Sequence, residues 1–228
     1  MENIKNPRRF SLDDDFMKSK CDDLVYGFMR SISTSRDATA EELKAHPKIK
    51  RIEYLTLKKF QEEKKVIQVI CGCSPKTITN RVKKLIEEGL VKEKIHIVKD
   101  NNGEEHKYPC YIFPYDYDGI YKVISQEMVS YLVATRNSQA IRIYLYLLNC
   151  STQKEDYVFT IKEIKKVLGY AESTKSADKI IKMVLDSFSK EGVIKFDKEW
   201  QEIINPNGKQ TRTERMILKF IATDVNQF

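Results

Sequence analysis

The sequence contains few of the residues that mark several large protein classes. Only 8 glycines and 6 prolines occur among 228 residues, which excludes collagen-like and Pro/Gly-rich low-complexity chains. No apolar run approaches the roughly 18 residues that a membrane-spanning helix needs. The N-terminal residues lack the apolar core of a secretory signal, and the five cysteines include no Cys-x-x-Cys pair. We therefore expect a cytoplasmic protein with reduced thiols and no membrane partner.

Sequence motifs for common catalytic chemistry are also missing. The chain has no GxxxxGK[ST] phosphate-binding loop, and its three histidines never occur at HxH, HExxH or HxxxH spacing. Cys71 and Cys73 offer two soft ligands that His96 or His106 could complete to a zinc site. However, zinc-binding cysteine pairs usually enclose about two to four residues, and this pair encloses one. We therefore expect neither a metal nor a cofactor, and a protein that is not an enzyme.

The composition permits ordinary folded domains with a very polar surface. Hydrophobic residues make up 41% of the chain and charged residues 32%, which argues against wholesale disorder. The formal net charge is +7, from 40 basic and 33 acidic residues. This balance favours a nucleic acid or another anionic partner without requiring one. At roughly 100–200 residues per domain, the length predicts one or two domains.

One pattern of helices, glycines and strands occurs twice. In the first copy, a helical run and a glycine turn lead to an amphipathic helix over Pro75–Glu88. Ser74 can cap this helix, and Gly89 is placed to end it. Strands are predicted at 90–98 and 105–113, and an Asn-Gly pair between them is typical of a hairpin turn.

The second copy repeats this order with different gaps. A short helix to Leu168 and a glycine turn precede a helix over Thr174–Lys190, and strands are predicted at 193–204 and 211–221. In each copy, one face of the second helix is apolar and the opposite face carries lysines. This order of elements is typical of a winged helix-turn-helix. We therefore predict a mainly helical α+β fold with two tandem winged helix-turn-helix domains, each with a β-hairpin wing.

The predicted domains are residues 1–118, which include a flexible N-terminal arm, and residues 119–228. Arg8 and Arg9 in this arm could reach a minor groove, or could belong to a frayed terminus. Leu24–Met29 is the candidate for the first helix of the N-terminal domain.

The tandem arrangement resembles the replication initiator proteins of plasmids and related phage replicons, which carry two winged-helix domains in one chain. The likeness is carried by two helix–glycine–strand units, Ser74–Val98 and Ser173–Ile204, and by the tyrosine-rich helix Ile141–Leu148. The resemblance implies that both domains bind repeated sites on double-stranded DNA and that the first can mediate homodimerisation. It also implies host replication proteins as partners.

The balance of charge between the two copies differs from that family, in which the second domain often supplies the dominant base-reading helix. Here the segment 74–99 holds seven basic residues against three acidic ones. Glu172, Asp178 and Asp186 dilute the positive charge around the second helix. The sequence therefore leaves open which domain dominates DNA recognition.

The second helix and the wing of each copy supply the predicted DNA contacts. Lysine and arginine neutralise phosphates, whereas base recognition needs side chains that a helix presents to the major groove. The expected groove-facing residues of the first copy are Lys76, Thr77, Asn80, Arg81 and Lys84, and its expected phosphate contacts are Lys83, Lys92 and Lys94. In the second copy, the expected contacts are Lys175, Ser176, Lys179 and Lys182 on the helix and Lys209, Arg212 and Arg215 on the wing. Asn80 suits adenine and Arg81 suits guanine.

Three functions remain open at this point. The main expectation is a sequence-specific replication initiator, because a lysine-rich face coincides twice with the second helix of a helix-turn-helix. A transcriptional repressor would use DNA contacts of the same kind at a promoter. A protein-interaction module would carry the same lysines as an ordinary solvated face, with Arg81 paired to Glu88 or Glu53.

Overall fold

A computed structural model describes residues 7–11, 23–45, 47, 51–99, 102–113, 121–135, 137, 139–151, 157–204, 207–208 and 210–227. The chain divides into two compact units, Met1–Ile141 and Arg142–Phe228. Within the described residues, the fold is α+β, with nine α-helices and three antiparallel sheets. None of these helices is long and apolar enough to cross a membrane.

The first unit combines six helices with two sheets. Its helices are α1 (Asp23–Ile32), α2 (Ala40–Ala45), α3 (Leu57–Glu62), α4 (Lys64–Cys71), α5 (Pro75–Glu87) and α6 (Gln126–Ala134). Its strands are β1 (Pro7–Ser11), β2 (Thr34–Asp37), β3 (Arg51–Thr56), β4 (Lys92–Lys99), β5 (Glu105–Ile112) and β6 (Tyr121–Ser125). One sheet pairs β1 with β6, and the other has the strand order β2-β3-β5-β4.

The second unit contains a shorter set of elements. The helix α7 (Ala140–Ser151) leads into it and is followed by β7 (Tyr157–Phe159), α8 (Ile161–Val167), α9 (Lys175–Lys190), β8 (Ile194–Ile204) and β9 (Gln210–Ile221). A short 3-10 helix lies at Val225–Gln227, and the sheet has the order β7-β9-β8. Tyr144 of α7 is fully buried, and its hydroxyl donates to the carbonyl oxygen of Ala222 at 2.6 Å. This bond ties α7 to the segment that follows β9.

The helix α1 lies at the centre of the first unit, as expected for the candidate Leu24–Met29. It packs against α4, α5, α6 and β3. Its apolar residues are almost completely buried, namely Leu24, Val25, Tyr26, Phe28 and Met29. A helix with apolar residues on most of its circumference is stable only in such an interior position.

Gly27 lies in the middle of α1, where glycine ordinarily weakens a helix. A Cβ atom at this position would collide with Cδ1 of Ile141 and lie 2.9 Å from Cγ2 of Val133. The glycine therefore permits a close approach that a larger residue would prevent.

A buried ion-pair cluster joins α1 to β3. The Arg30 guanidinium donates to both carboxylate oxygens of Glu53 at 2.7 and 2.8 Å, and to the Tyr26 hydroxyl at 2.8 Å. Arg30 is 1% exposed and Glu53 is 5% exposed. Burial has the largest single effect on the pKa of Arg30 and lowers it. The charges of Glu53 and Tyr26 and the hydrogen bonds to them together outweigh burial, so the net shift of this pKa is upward. The guanidinium therefore stays charged inside the unit.

Arg8 belongs to this cluster, so the expectation that it reaches a minor groove from a flexible arm is wrong. The strand β1 pairs with β6, and Arg8 is 2% exposed. Its Nε donates to the carbonyl oxygen of Arg30 at 3.0 Å, and its Nη2 donates to that of Ser33 at 2.6 Å. Arg9 lies in the same strand, but its side chain is outside the described residues.

The position of the domain boundary also differs from the expectation. The sequence predicts a boundary after residue 118, whereas the first compact unit ends at Ile141. The difference arises because β6 pairs with β1 and α6 packs against α1, which assigns 121–134 to the first unit.

Replacing Arg30 with methionine should destabilise the first unit by about 3 kcal/mol or more, since it leaves the Glu53 carboxylate buried without its bidentate partner. The measurement is urea denaturation followed by circular dichroism. Arg51→Met is the matched control, because Arg51 and its partner Asp37 are both more than half exposed. We expect the control to change stability by about 0–1 kcal/mol. Equal losses in the two variants would contradict the assigned role of the cluster.

Candidate nucleic-acid interface

The helix α5 has the ends that its sequence predicts. Ser74 Oγ accepts the backbone N–H of Thr77 at 3.2 Å, and Pro75 occupies the first helical position. Gly89 follows the helix with a φ of 77°, in the left-handed region. These predicted caps are confirmed. The buried stripe of the helix consists of Ile78, Val82 and Leu85.

The face of α5 opposite this stripe is exposed and basic. Lys76, Asn80 and Lys83 occur at i, i+4 and i+7, which places them on one side of the helix. Lys84 is adjacent and also exposed. The structure therefore brings four of the predicted contact residues together on the surface.

Two other predicted residues of α5 are less accessible. Thr77 is half-buried, and its hydroxyl lies 3.0 Å from Ser74 Oγ at the helix cap. Arg81 is also half-buried and has an interaction partner within the protein. Arg81 would therefore have to exchange this partner before it could contact a base.

A glycine forms the turn before α5 in the first unit and before α9 in the second unit. Gly72 follows α4 with a φ of 59°, and Gly169 follows α8 with a φ of 73°. Residues with a Cβ atom rarely adopt this left-handed conformation, so glycine allows the chain to reverse direction within a few residues. The two turns therefore have the same physical basis.

The helix α9 repeats the arrangement of α5. Lys175, Lys179 and Lys182 are exposed and have the same i, i+4, i+7 spacing as Lys76, Asn80 and Lys83. Ser176 is exposed beside them, and Asp178, Met183 and Asp186 line the same shallow surface groove as the lysines. The buried stripe consists of Ala177, Ile181, Val184, Leu185 and Phe188.

Two of the acidic residues near α9 are paired with lysines of α8. Nζ of Lys165 lies 2.9 Å from Oδ1 of Asp178 and also donates to the carbonyl oxygen of Glu172. Nζ of Lys162 lies 2.5 Å from Oε1 of Glu172. In the sequence alone, Glu172 and Asp178 reduce the net positive charge around α9. The structure shows that both carboxylates are paired with lysines of α8, although Asp178 also lines the outer groove together with Asp186.

The hairpin predicted to be the wing of the first unit consists of β4 and β5. Lys92 and Lys94 are exposed and lie opposite Ile112 and Cys110 in the hydrogen-bonded register. Side chains alternate along a strand, so these lysines lie on the opposite face from Tyr111, whose ring packs on Phe60 of α3. The two wing lysines therefore project from the sheet face directed away from α3.

The hairpin predicted to be the wing of the second unit is longer and consists of β8 and β9. Phe196, Lys198, Glu214 and Met216 share one face, which lines a cleft with Lys182 and other residues of α9. By strand alternation, Arg212 lies on this helix-side face, whereas Arg215 lies on the opposite face. Nη1 of Arg215 donates to Oε1 of Gln201 at 2.8 Å. Lys209, the remaining predicted wing contact, is outside the described residues.

Sequence reasoning missed an exposed aromatic residue on this wing. Trp200 is 55% exposed, and the guanidinium carbon of Arg212 lies 4.9 Å from its ring centroid. Alternation of side chains along the strand could have identified it, because Trp200 lies on the same face of β8 as Phe196 and Lys198. The first wing also exposes Ile95, Ile97 and Tyr108.

The cysteines and histidines considered for zinc do not form a metal site. Among the described residues, no three His, Cys, Asp or Glu side chains lie together in a way that could hold a metal ion. Instead, the His96 ring packs against Tyr54, with the ring centroids 5.2 Å apart.

Comparison with known proteins assigns no family to the chain. Neither a protein-family model nor a curated protein matches it.

Replacing Lys165 with methionine should destabilise the second unit, because Asp178 and the turn carbonyl of Glu172 lose their common partner. We expect a loss of about 1.5–3 kcal/mol of unfolding free energy, the range for hydrogen bonds to charged groups. Urea denaturation followed by Trp200 fluorescence and circular dichroism measures it. Lys162→Met removes an exposed lysine of the same helix and should cost about 0–1 kcal/mol. If Lys165→Met is no more destabilising than this control, Lys165 does not hold the turn.

Proposed function

We propose that this protein binds double-stranded DNA sequence-specifically through two winged-helix units, as a cytoplasmic plasmid or phage replication initiator. The observation that carries the proposal is the recurrence of one arrangement in both units. A glycine turn precedes a helix whose apolar stripe is buried and whose opposite face presents basic or amide side chains at i, i+4 and i+7. An antiparallel hairpin follows each of these helices.

An exposed helix of this kind suits the major groove of DNA. The groove is wide enough for one α-helix, and each base pair presents there a distinct pattern of donors and acceptors. Asn80 can pair with adenine through its amide, while Lys76, Lys83 and Lys84 can neutralise phosphates. Lys175, Lys179 and Lys182 offer the same positive charge in the second unit.

The compensation of Glu172 and Asp178 by α8 supports participation of the second unit. Because these carboxylates are paired with lysines, they repel DNA near α9 less than the sequence alone indicates. Both helices therefore suit contact with DNA, which fits an initiator that binds repeated sites. The proposal also includes host replication proteins as partners and a homodimer through the first unit.

The direct test is selection of bound duplexes from a random library, followed by fluorescence anisotropy titration of the selected sequence and a scrambled one. Equal affinity for both duplexes at physiological salt would contradict sequence-specific binding. A plasmid that carries the selected site and lacks its own initiator then separates the two DNA-binding roles. An initiator supports its replication, whereas a repressor does not.

Lys84→Ala should weaken binding of selected and scrambled duplexes alike, because phosphate contacts carry no sequence information. We expect the slope of log affinity against log salt concentration to fall by about one unit. Lys58→Ala, which removes an exposed lysine of α3 outside the predicted set, is the control and should change neither quantity. An unchanged salt slope in Lys84→Ala would exclude this residue from the interface.

Arg81→Ala should relax discrimination between the selected and scrambled duplexes by about 1–3 kcal/mol, the value of one good base contact. Anisotropy titration of both duplexes measures the difference. Equal losses on both would show that Arg81 does not recognise a base. If the units are protein-interaction modules that do not bind DNA, the combined replacement of Lys76, Arg81 and Lys84 by alanine should leave partner binding and function intact.

A further inference from the structure

The outer half of the second wing carries a stacked aromatic and cationic pair. Trp200 is the only tryptophan of the chain and is 55% exposed. The Arg212 guanidinium covers its ring at 4.9 Å from the centroid. Both side chains lie on the face shared with Lys198, which lines the cleft next to Lys182 of α9. The pair therefore projects from the side of the wing that faces the basic helix.

This tryptophan does not complete the core of the second unit. On this face of β9, Met216 is the buried residue nearest to the hairpin tip. Trp200 lies opposite Glu214, which is two residues closer to the tip than Met216. The neighbours of Trp200 on the face are charged, namely Lys198, Glu202, Arg212 and Glu214. An apolar protein surface docked here would remove water from these charges, which is costly even though Nζ of Lys198 lies 4.0 Å from Oε1 of Glu214. The surroundings favour a flat partner that is itself polar and charged at its edges.

We propose that Trp200 and Arg212 form a stacking platform for an unpaired base of DNA, adjacent to duplex held by α9. Nucleobases have the required flat π surface, and base–aromatic stacking tolerates any sequence. Within a duplex, each base face is covered by its neighbours, so an indole can stack only where a base is unpaired. The inference rests on the proposed DNA-binding function, and it adds single-stranded DNA as a second form of the ligand.

Arg212 has two functions in this platform. Its guanidinium carbon lies 4.9 Å from the centroid of the indole ring, a cation–π contact that stabilises this position of the ring. A cation–π contact does not consume the N–H donors of the guanidinium group, which match phosphate oxygens. The same residue can therefore hold the ring and neutralise the phosphate of the stacked nucleotide.

The fluorescence of the single tryptophan reports directly on this site. We expect a short mixed-sequence single strand to quench Trp200 emission in the full-length protein, because stacked bases quench indole. A duplex of the same sequence, added at a concentration that saturates anisotropy, should quench it much less. Failure of the single strand to quench Trp200, or equal quenching by strand and duplex, would overturn the platform.

Variants of exposed residues separate stacking from other contacts. Trp200→Ala should weaken single-strand binding about ten-fold, with little effect on duplex affinity. Trp200→Phe retains a ring and should restore most of the loss. Ile204→Ala is the matched control, because Ile204 is exposed on the same face of β8 and has no π surface. Equal losses in Trp200→Ala and Ile204→Ala would refute stacking.

The two proposals fail in different ways. Duplex binding without quenching by a single strand contradicts the platform and leaves the DNA-binding proposal intact. Quenching by a single strand without any duplex binding supports the platform and contradicts the duplex-binding function.

Discussion

Burial of one apolar stripe in α5 and in α9 determines the geometry on which the candidate interface depends. Each fully buried aliphatic or aromatic side chain contributes roughly 1.5–3 kcal/mol, so several of them fix the rotation of a helix about its axis. Once Ile78, Val82 and Leu85 face the interior, residues on the opposite side of α5 must face solvent. The exposed position of Lys76 and Lys83 is therefore a consequence of hydrophobic packing.

Polar contacts inside each unit then connect elements that hydrophobic packing alone could leave in several registers. In the first unit, Arg30, Glu53 and Arg8 link α1, β3 and β1. In the second unit, Lys165 links α8 to Asp178 at the start of α9. A buried charge must find its partner, so such contacts accept fewer arrangements than an apolar contact does. In the second unit, this contact holds α8, which precedes the glycine turn, against α9.

Local patterns allowed many of these elements to be predicted. The apolar periodicity, Ser74, Pro75 and Gly89 specify α5 within a single stretch of chain, and its predicted bounds are confirmed to one residue. The first hairpin was predicted from a similarly local signal, an Asn-Gly pair between two predicted strands. By contrast, the burial of Arg8 depends on pairing between β1 and β6, which are far apart in the chain. No short pattern around Arg8 records that pairing.

The sequence by itself determined which helices are amphipathic, where they begin and end, and which lysines lie opposite their apolar stripes. It could do so because helical periodicity and capping involve residues only a few positions apart. Only the tertiary structure decided that Arg212 covers Trp200, that their face of the hairpin lies toward α9, and that Asp178 is paired. These properties depend on strand register and helix packing, which bring together residues that are distant in the sequence.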